Sequence, residues 1–181
     1  MAKKVLVLAG SPRKGGNSDR LCDEFIKGAL ESGHEVEKIY VCDKKINFCT
    51  ACRQCNAEPR CFVHDDDAQE IFEKFRDADV VAFGAPVYFY GINAQMKTLI
   101  DRAVAYNPHG WLDNKDFYYL ITAGVPQAIA KDTTANTFHG FAVCLEGIVE
   151  KAVVYAAGVG AVGAIEGRPE LKQAYEFGKN I

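Results

Sequence analysis

Five short strand-like runs alternate with amphipathic helical stretches along this chain, and that alternation restricts the fold more than any other feature. The runs are Val5–Ala9, Val36–Val41, Val80–Phe83, Phe117–Thr122 and Ala152–Ala157, of which the second, with Glu35, Glu37 and Lys38, reads as a sheet edge with one wet face. Between them, apolar residues recur at helical spacing: Leu21, Phe25, Ala29 and Leu30; then Ile71, Phe72, Phe75 and Ala78; then Met96, Leu99, Ile100, Ala103 and Val104. A fourth helix carries Phe138, Phe141, Ala142 and Leu145, and a fifth opens on Pro169, buries Leu171, Ala174 and Tyr175 and ends near Gly178. Gly33 and Gly147 are placed to stop helices in left-handed caps, and Asp67 with Glu70 reads as a capping box. Uninterrupted apolar strands alternating with helices belong to a parallel sheet covered on both faces.

No internal repeat or long linker interrupts the 181 residues, so residues 1–181 are expected to form a single α/β domain. The handedness rule for crossovers leaves few topologies, and the flavodoxin-like doubly wound order 2-1-3-4-5 for a five-stranded parallel sheet suits this length. Ligands in such sheets bind beyond the carboxyl ends of the strands where the order reverses, between strands one and three. Three loops meet there: Gly10–Ser18, Ala85–Gly91 and the Ala123-Gly124 turn.

The first of these loops opens a helix, so backbone N–H groups and the positive end of the helix dipole face whatever sits above strand one. Ser11 and Ser18 add hydroxyls, Asn17 can cap, and Arg13 offers a bidentate fork, which together suit a phosphate. The dinucleotide fingerprint GxGxxG is absent, and Asn17 stands where a P-loop needs lysine. The second loop, with Pro86, Val87, Tyr88, Phe89, Tyr90 and Gly91, is aromatic and stiffened by proline. Phosphate chemistry beside an aromatic wall fits a mononucleotide with a flat ring, and FMN fits best. An ordinary strand-to-helix turn with core or surface aromatics is the plainer alternative.

A net charge of −3 and the absence of a basic stripe argue against nucleic acid as a partner. No apolar run approaches membrane-spanning length and the start leads straight into a strand, so no membrane association and a cytoplasmic location are expected. Seven cysteines then read as free thiols. Cys22, Cys42 and Cys144 are scattered and read as small buried hydrophobes. Cys49, Cys52, Cys55 and Cys61 fall within thirteen residues of a segment, 42–66, inserted between strand two and the next helix. Their spacing follows the Cys-x2-Cys-x2-Cys run that wraps an iron-sulfur cube, whereas structural zinc prefers two separated knuckles. A cysteine-rich loop without metal stays open as well. The acids of His64-Asp65-Asp66-Asp67 read as loading a helix N-terminus, and His34, His109 and His139 have no evident partner. Ser11 has no general base, so a hydrolase is not supported. A phospho-acceptor protein is excluded because Gly84 follows strand three where the acceptor acid belongs.

Gly10-Ser11-Pro12-Arg13 with Gly16-Asn17-Ser18, Ala85-Pro86-Val87-Tyr88, Gln95-Met96-Lys97 with Asp101-Arg102, and the closing stretches at 164–166 and 174–179 resemble the NADPH-dependent FMN reductase and flavodoxin-like oxidoreductase superfamily over nearly the whole chain. The resemblance implies that Ser11, Arg13, Asn17 and Ser18 hold the FMN phosphate, that Pro86, Val87, Tyr88 and Phe89 flank the ring, and that Gly91 and Gly124 border it. The cysteine run is similar to that of the iron-sulfur flavoprotein branch, which implies a 4Fe-4S cluster on Cys49, Cys52, Cys55 and Cys61, although Pro59 precedes Cys61 where the bacterial ferredoxin pattern has a proline following. Because the segment leaves the carboxyl end of strand two, the cluster is expected on the flavin edge of the sheet. An FMN-dependent oxidoreductase with a ferredoxin or NAD(P)H as donor, a small-molecule acceptor and a homodimeric or homotetrameric assembly follows from this likeness. The flavin supplies the chemistry, so no side chain is assigned as catalytic. A cluster-free flavin, quinone, azo or nitro reductase, a non-catalytic electron-transfer protein and a zinc-stabilised module without flavin are the competing readings.

Overall fold

The computed structural model describes residues 1–181. In chain order the elements are β1 (Lys4–Ala9), α1 (Asn17–Glu31), β2 (Glu35–Tyr40), α2 (Ala68–Asp77), β3 (Val80–Tyr88), β4 (Gly91–Ile92), α3 (Ala94–Arg102), β5 (Asp116–Thr122), α4 (Ala128–Ala142), β6 (Val149–Ala156) and α5 (Pro169–Lys179). The sheet runs β2-β1-β3-β5-β6 with every neighbour parallel, and β4 pairs antiparallel with the end of β3. The expected flavodoxin-like α/β class therefore holds, but with six strands in the order 2-1-3-5-6 rather than five in the order 2-1-3-4-5.

The extra strand comes from the aromatic stretch expected to be a loop. β1 ends opposite Gly84, while β3 continues beside β5 through Ala85↔Ile121 and Pro86↔Thr122. With a neighbour on one side only, β3 can accept a proline that lacks an N–H. Phe89 and Tyr90 then make a two-residue turn at φ 49° and 63°, and Val87↔Ile92 closes a short hairpin. Such turns normally use Asn-Gly because both residues must be left-handed, so nothing in Phe-Tyr announces one.

α2, α3 and α4 cover one face of the sheet over a core that includes Leu8, Phe83, Phe117, Tyr119 and Phe138. α1 and α5 cover the other, over Val7, Leu21, Phe25, Tyr118 and Ala174. Two close approaches set the position of α1. A Cβ on Gly84 would lie 2.2 Å from the Cys22 sulfur, and one on Gly178 of α5 would lie 2.0 Å from the Phe25 carbonyl oxygen. Only hydrogen at those positions lets the helix sit this low.

The helix ends are largely as read, with Gly33 left-handed at φ 80° and Pro169 in the first turn of α5. The capping box is not. Asp67 precedes α2 without capping it, accepting instead from the Lys45 N–H at 2.6 Å, while Glu70 pairs with Lys44. α4 ends at Ala142, short of Leu145, and Cys144 is exposed rather than buried, its thiol donating back to the Gly140 carbonyl at 3.3 Å.

Candidate cofactor sites beside the first and third strands

The loop after β1 opens a small cavity of about 180 Å³ at the carboxyl edge of the sheet. Ser11, Arg13, Gly16, Asn17 and Ser18 line one side, and Pro86, Val87 and Tyr88 of β3 line another. Thr122 and Gly124 from the end of β5, with Val159 and Gly160 from the loop after β6, close it. Gly16 is the residue before α1 and supplies no side-chain cap, so the first-turn N–H groups of the helix keep no side-chain partner. Eight of the ten residues expected to hold the flavin thus converge. Phe89 stands fully exposed at the hairpin tip (104%) and Gly91 lies in β4, both outside this cavity.

The polar groups divide the work differently from the sequence expectation. The Asn17 amide donates to the carbonyls of Val159 (2.7 Å) and Ala161 (2.8 Å) and accepts from the Ile165 N–H (3.3 Å), tying α1 to the last loop. Its side chain is spent on that tie, leaving its backbone N–H at the helix start. Ser18 and Thr122 share a buried hydroxyl pair at 2.9 Å. Ser11 folds its own turn, accepting from the Arg13 N–H at 3.1 Å, and Arg13 reaches the Gly160 carbonyl at 3.4 Å across the rim. Asp19 beneath the loop accepts from the Gly15 N–H at 2.6 Å and pairs with Lys38. Burial works against the Lys38 charge, yet its hydrogen bonds to Asp19, Asp23 and Tyr40 hold the ammonium above its usual range.

Beyond the expected residues the cavity is lined by Thr122, Val159 and Gly160, and by Gly16 of the loop motif. Thr122 is a polar residue closing an apolar strand, and Gly158–Gly160 is glycine-rich, so a signal existed for both. What joins them is pairing across sheet positions: the Val159 N–H reaches the Ala123 carbonyl at 2.8 Å.

The second site is the cysteine segment. Cys49, Cys52, Cys55 and Cys61 line one cavity of about 430 Å³, floored by Thr98, Asp101 and Arg102 of α3 and by Val104 and Ala105 beyond it. The Ala51 N–H points at the Cys49 sulfur and the His64 N–H at the Cys61 sulfur, both at 3.4 Å. Ala51 (φ 54°) and Arg53 (φ 60°), either side of Cys52, are left-handed and bend the chain around it. As the chain stands, no three Cys, His, Asp or Glu side chains converge as metal ligands. The donor set nevertheless fits an iron-sulfur cube: four thiols on one cavity, with backbone N–H groups directed at sulfur. Burial pushes the Cys55 thiol upward, and its three cysteine neighbours add to that.

The segment leaves β2 at the expected edge, where the Cys42 thiol (3.0 Å) and the Asn93 amide (2.6 Å) both donate to the Gly10 carbonyl. The cavity, however, lies off that edge. Asn93 precedes α3, whereas Thr98 to Arg102 line the cavity five to nine residues later, roughly 8–13 Å along the helix at 1.5 Å per residue. The displacement has a cause in Arg102. Its Nη1 donates to the Asn47 carbonyl at 2.9 Å and to the buried Asp66 carboxylate at 2.7 Å, while Asp66 also accepts from the Asn47 N–H at 2.9 Å. Both ends of the cysteine loop are thereby clasped to α3. Burial works against the Asp66 charge, but Arg102, Asn47 and the Ala68 N–H overcome it and hold the carboxyl down at about 2. Asp66 is thus a clasp as well as a helix-start acid. The histidines have partners too: His64 meets the Phe48 carbonyl and His109 the Cys55 carbonyl, each at 3.0 Å. His34 accepts from the Lys3 N–H at 3.1 Å, and His139 pairs with Glu150 at 2.7 Å.

Among known proteins, the family model described as NADPH-dependent FMN reductase matches residues 3–163. An iron-sulfur flavoprotein of Archaeoglobus fulgidus is 35% identical over 98% of this chain and 78% of its own length. An iron-sulfur flavoprotein of Methanocaldococcus jannaschii is 36% identical over 76% of this chain and 70% of its own. The solved NAD(P)H:quinone oxidoreductase from Methanothermobacter marburgensis superposes with a TM-score of 0.77 over 99% of this chain and 97% of its own, at 18% identity, a likeness of fold.

Proposed function

The chain belongs to the NADPH-dependent FMN reductase family and is an FMN-dependent oxidoreductase, and from that premise we propose that it passes electrons from a reduced donor to a small acceptor through FMN and a 4Fe-4S cluster. When bound, the flavin and the cluster together supply the conversion between paired and single electrons. The chain's own residues bind, orient and shield them. In this reading the α1 N-terminus and Ser11 hold the FMN phosphate, with Arg13 at the rim and Ser18 fixed by Thr122. Pro86, Val87 and Tyr88 form the wall for the ring, with Phe89, Gly91 and Gly124 bordering it. Cys49, Cys52, Cys55 and Cys61 ligate the cluster.

The observation that carries the cluster is that all four thiols of the expected run line one cavity. The similar chains named iron-sulfur flavoproteins support the same reading. A ferredoxin-like donor suits entry through exposed Cys49 and Cys52, and NAD(P)H suits entry at the flavin. No helix is long and apolar enough to cross a membrane, and seven free cysteines accord with a reducing cytoplasm. Exposed Phe48 and Phe89 are in keeping with a homodimer or homotetramer. The second reading, a cluster-free NAD(P)H-dependent quinone, azo or nitro reductase, is favoured by the absence of converged ligands.

Anaerobic reduction followed at the flavin band separates the two readings. Bleaching by reduced ferredoxin that is lost in Cys52→Ala supports the two-centre reading. Bleaching by NADPH alone, unchanged in Cys52→Ala, supports the cluster-free one. Electron uptake without turnover on any small acceptor would instead leave a relay protein.

A further inference from the structure

Arg102 is 2% exposed and is among the largest buried side chains of the protein, yet it is charged. A buried ion pair contributes little net stability relative to a well-packed apolar pair, because desolvation cancels most of the attraction. Stability alone is therefore a weak reason for it. Three observations point to the cysteines. Arg102, Cys61, Phe62 and His64 border both the cysteine cavity and a second cavity of about 670 Å³. Both hydrogen bonds of Arg102 run from Nη1, leaving Nε and Nη2 without an acceptor in the chain. The loop it clasps has almost no secondary structure of its own, one short turn at Gln54–Asn56, so its shape depends on such ties.

We propose that Arg102 is the positioning residue of the cysteine site. With Asp66 it holds residues 47–66 so that the four thiols face one cavity, and its free guanidinium N–H groups donate to the sulfur-rich group bound there. The donor half rests on the cluster reading above. A guanidinium suits both tasks because its planar fork offers five donors in fixed directions, which a lysine ammonium does not reproduce.

The test uses full-length protein as wild type, Arg102→Lys and Arg102→Ala, with far-ultraviolet circular dichroism to confirm folding. Metal-free protein is digested with trypsin, which can cut the loop after Arg53 and Arg60. Tenfold or faster loop cleavage in Arg102→Ala is expected, with Arg102→Lys intermediate. Protein reconstituted anaerobically with ferrous iron and sulfide is then assayed for both elements and for midpoint potential. Arg102→Ala is expected to lose more than half its iron. Arg102→Lys is expected to load, with a more negative potential, since losing N–H donors to sulfur disfavours the reduced cluster. Wild-type rates of loop cleavage in both variants overturn the positioning half. Wild-type potential and loading in Arg102→Lys overturn the donor half. A wild type that takes up no iron overturns the cluster reading and the donor half together, while trypsin still decides the positioning half. If Arg102→Ala fails to fold, Arg102→Gln takes its place in every comparison.

Discussion

Asp66→Asn isolates the charge on the clasp that shapes the cysteine loop. The wild-type carboxyl, drawn down from 3.8 to about 2 by Arg102 and the N–H groups around it against the opposing effect of burial, contributes on the order of 2–3 kcal/mol above its unfolded value. The amide keeps an acceptor but strands the Arg102 charge in the interior, where breaking a buried pair costs about 3–5 kcal/mol. A loss near 3 kcal/mol at pH 7 is therefore expected, lowering the urea midpoint by about 1–1.5 M for a chain of this size. The pH dependence has a definite sign. A carboxyl whose folded value is depressed stabilises the fold above its unfolded value, and that contribution is withdrawn as pH falls through the folded value. The gap between variant and wild type should hold from pH 7 to pH 4, narrow between pH 4 and pH 2, and close below. Urea unfolding at a series of pH values, read by circular dichroism, measures it. A gap that stays constant down to pH 2 would refute the assignment of the effect to the Asp66 charge.

Ser11→Ala should weaken FMN by about 1–3 kcal/mol, read by fluorescence titration of the apoprotein, and unchanged affinity would move the phosphate elsewhere. Gly84→Ala drives a methyl into the Cys22 sulfur, so it should cost about 1–3 kcal/mol of stability and loosen FMN as α1 lifts; an unaffected thermal midpoint would contradict the close approach. The Cys22 thiol, pushed up to about 12 by burial, should resist iodoacetamide at pH 8 while exposed Cys144 reacts, as mass spectrometry of labelled peptides can establish. Cys52→Ala should abolish any cluster absorbance yet leave FMN bound, and loss of both together would make the loop structural for the flavin pocket.

The parallel order and the loop after β1 were legible because buried strands and helix starts leave local signatures: an apolar run, a glycine-rich break, a helical period. The hairpin at Phe89-Tyr90 was not, because its turn relies on two left-handed aromatic residues that local preference disfavours. The tie that the Asn17 side chain makes was not legible either, since its partners Val159, Ala161 and Ile165 lie more than 140 residues away. The displacement of the cysteine cavity along α3 escaped for the same reason. It depends on Arg102 meeting Asn47 and Asp66, a three-way contact with no sequence periodicity to announce it. Cys144 was misread because α4 ends a turn earlier than its apolar spacing implied.

Anaerobic purification followed by a visible spectrum with iron and acid-labile sulfide assays decides between one redox centre and two in this chain. Flavin bands riding on a broad brown absorbance, with iron and sulfide in equal amounts near four per chain, are the expected result. Flavin bands with neither element would contradict the two-centre reading.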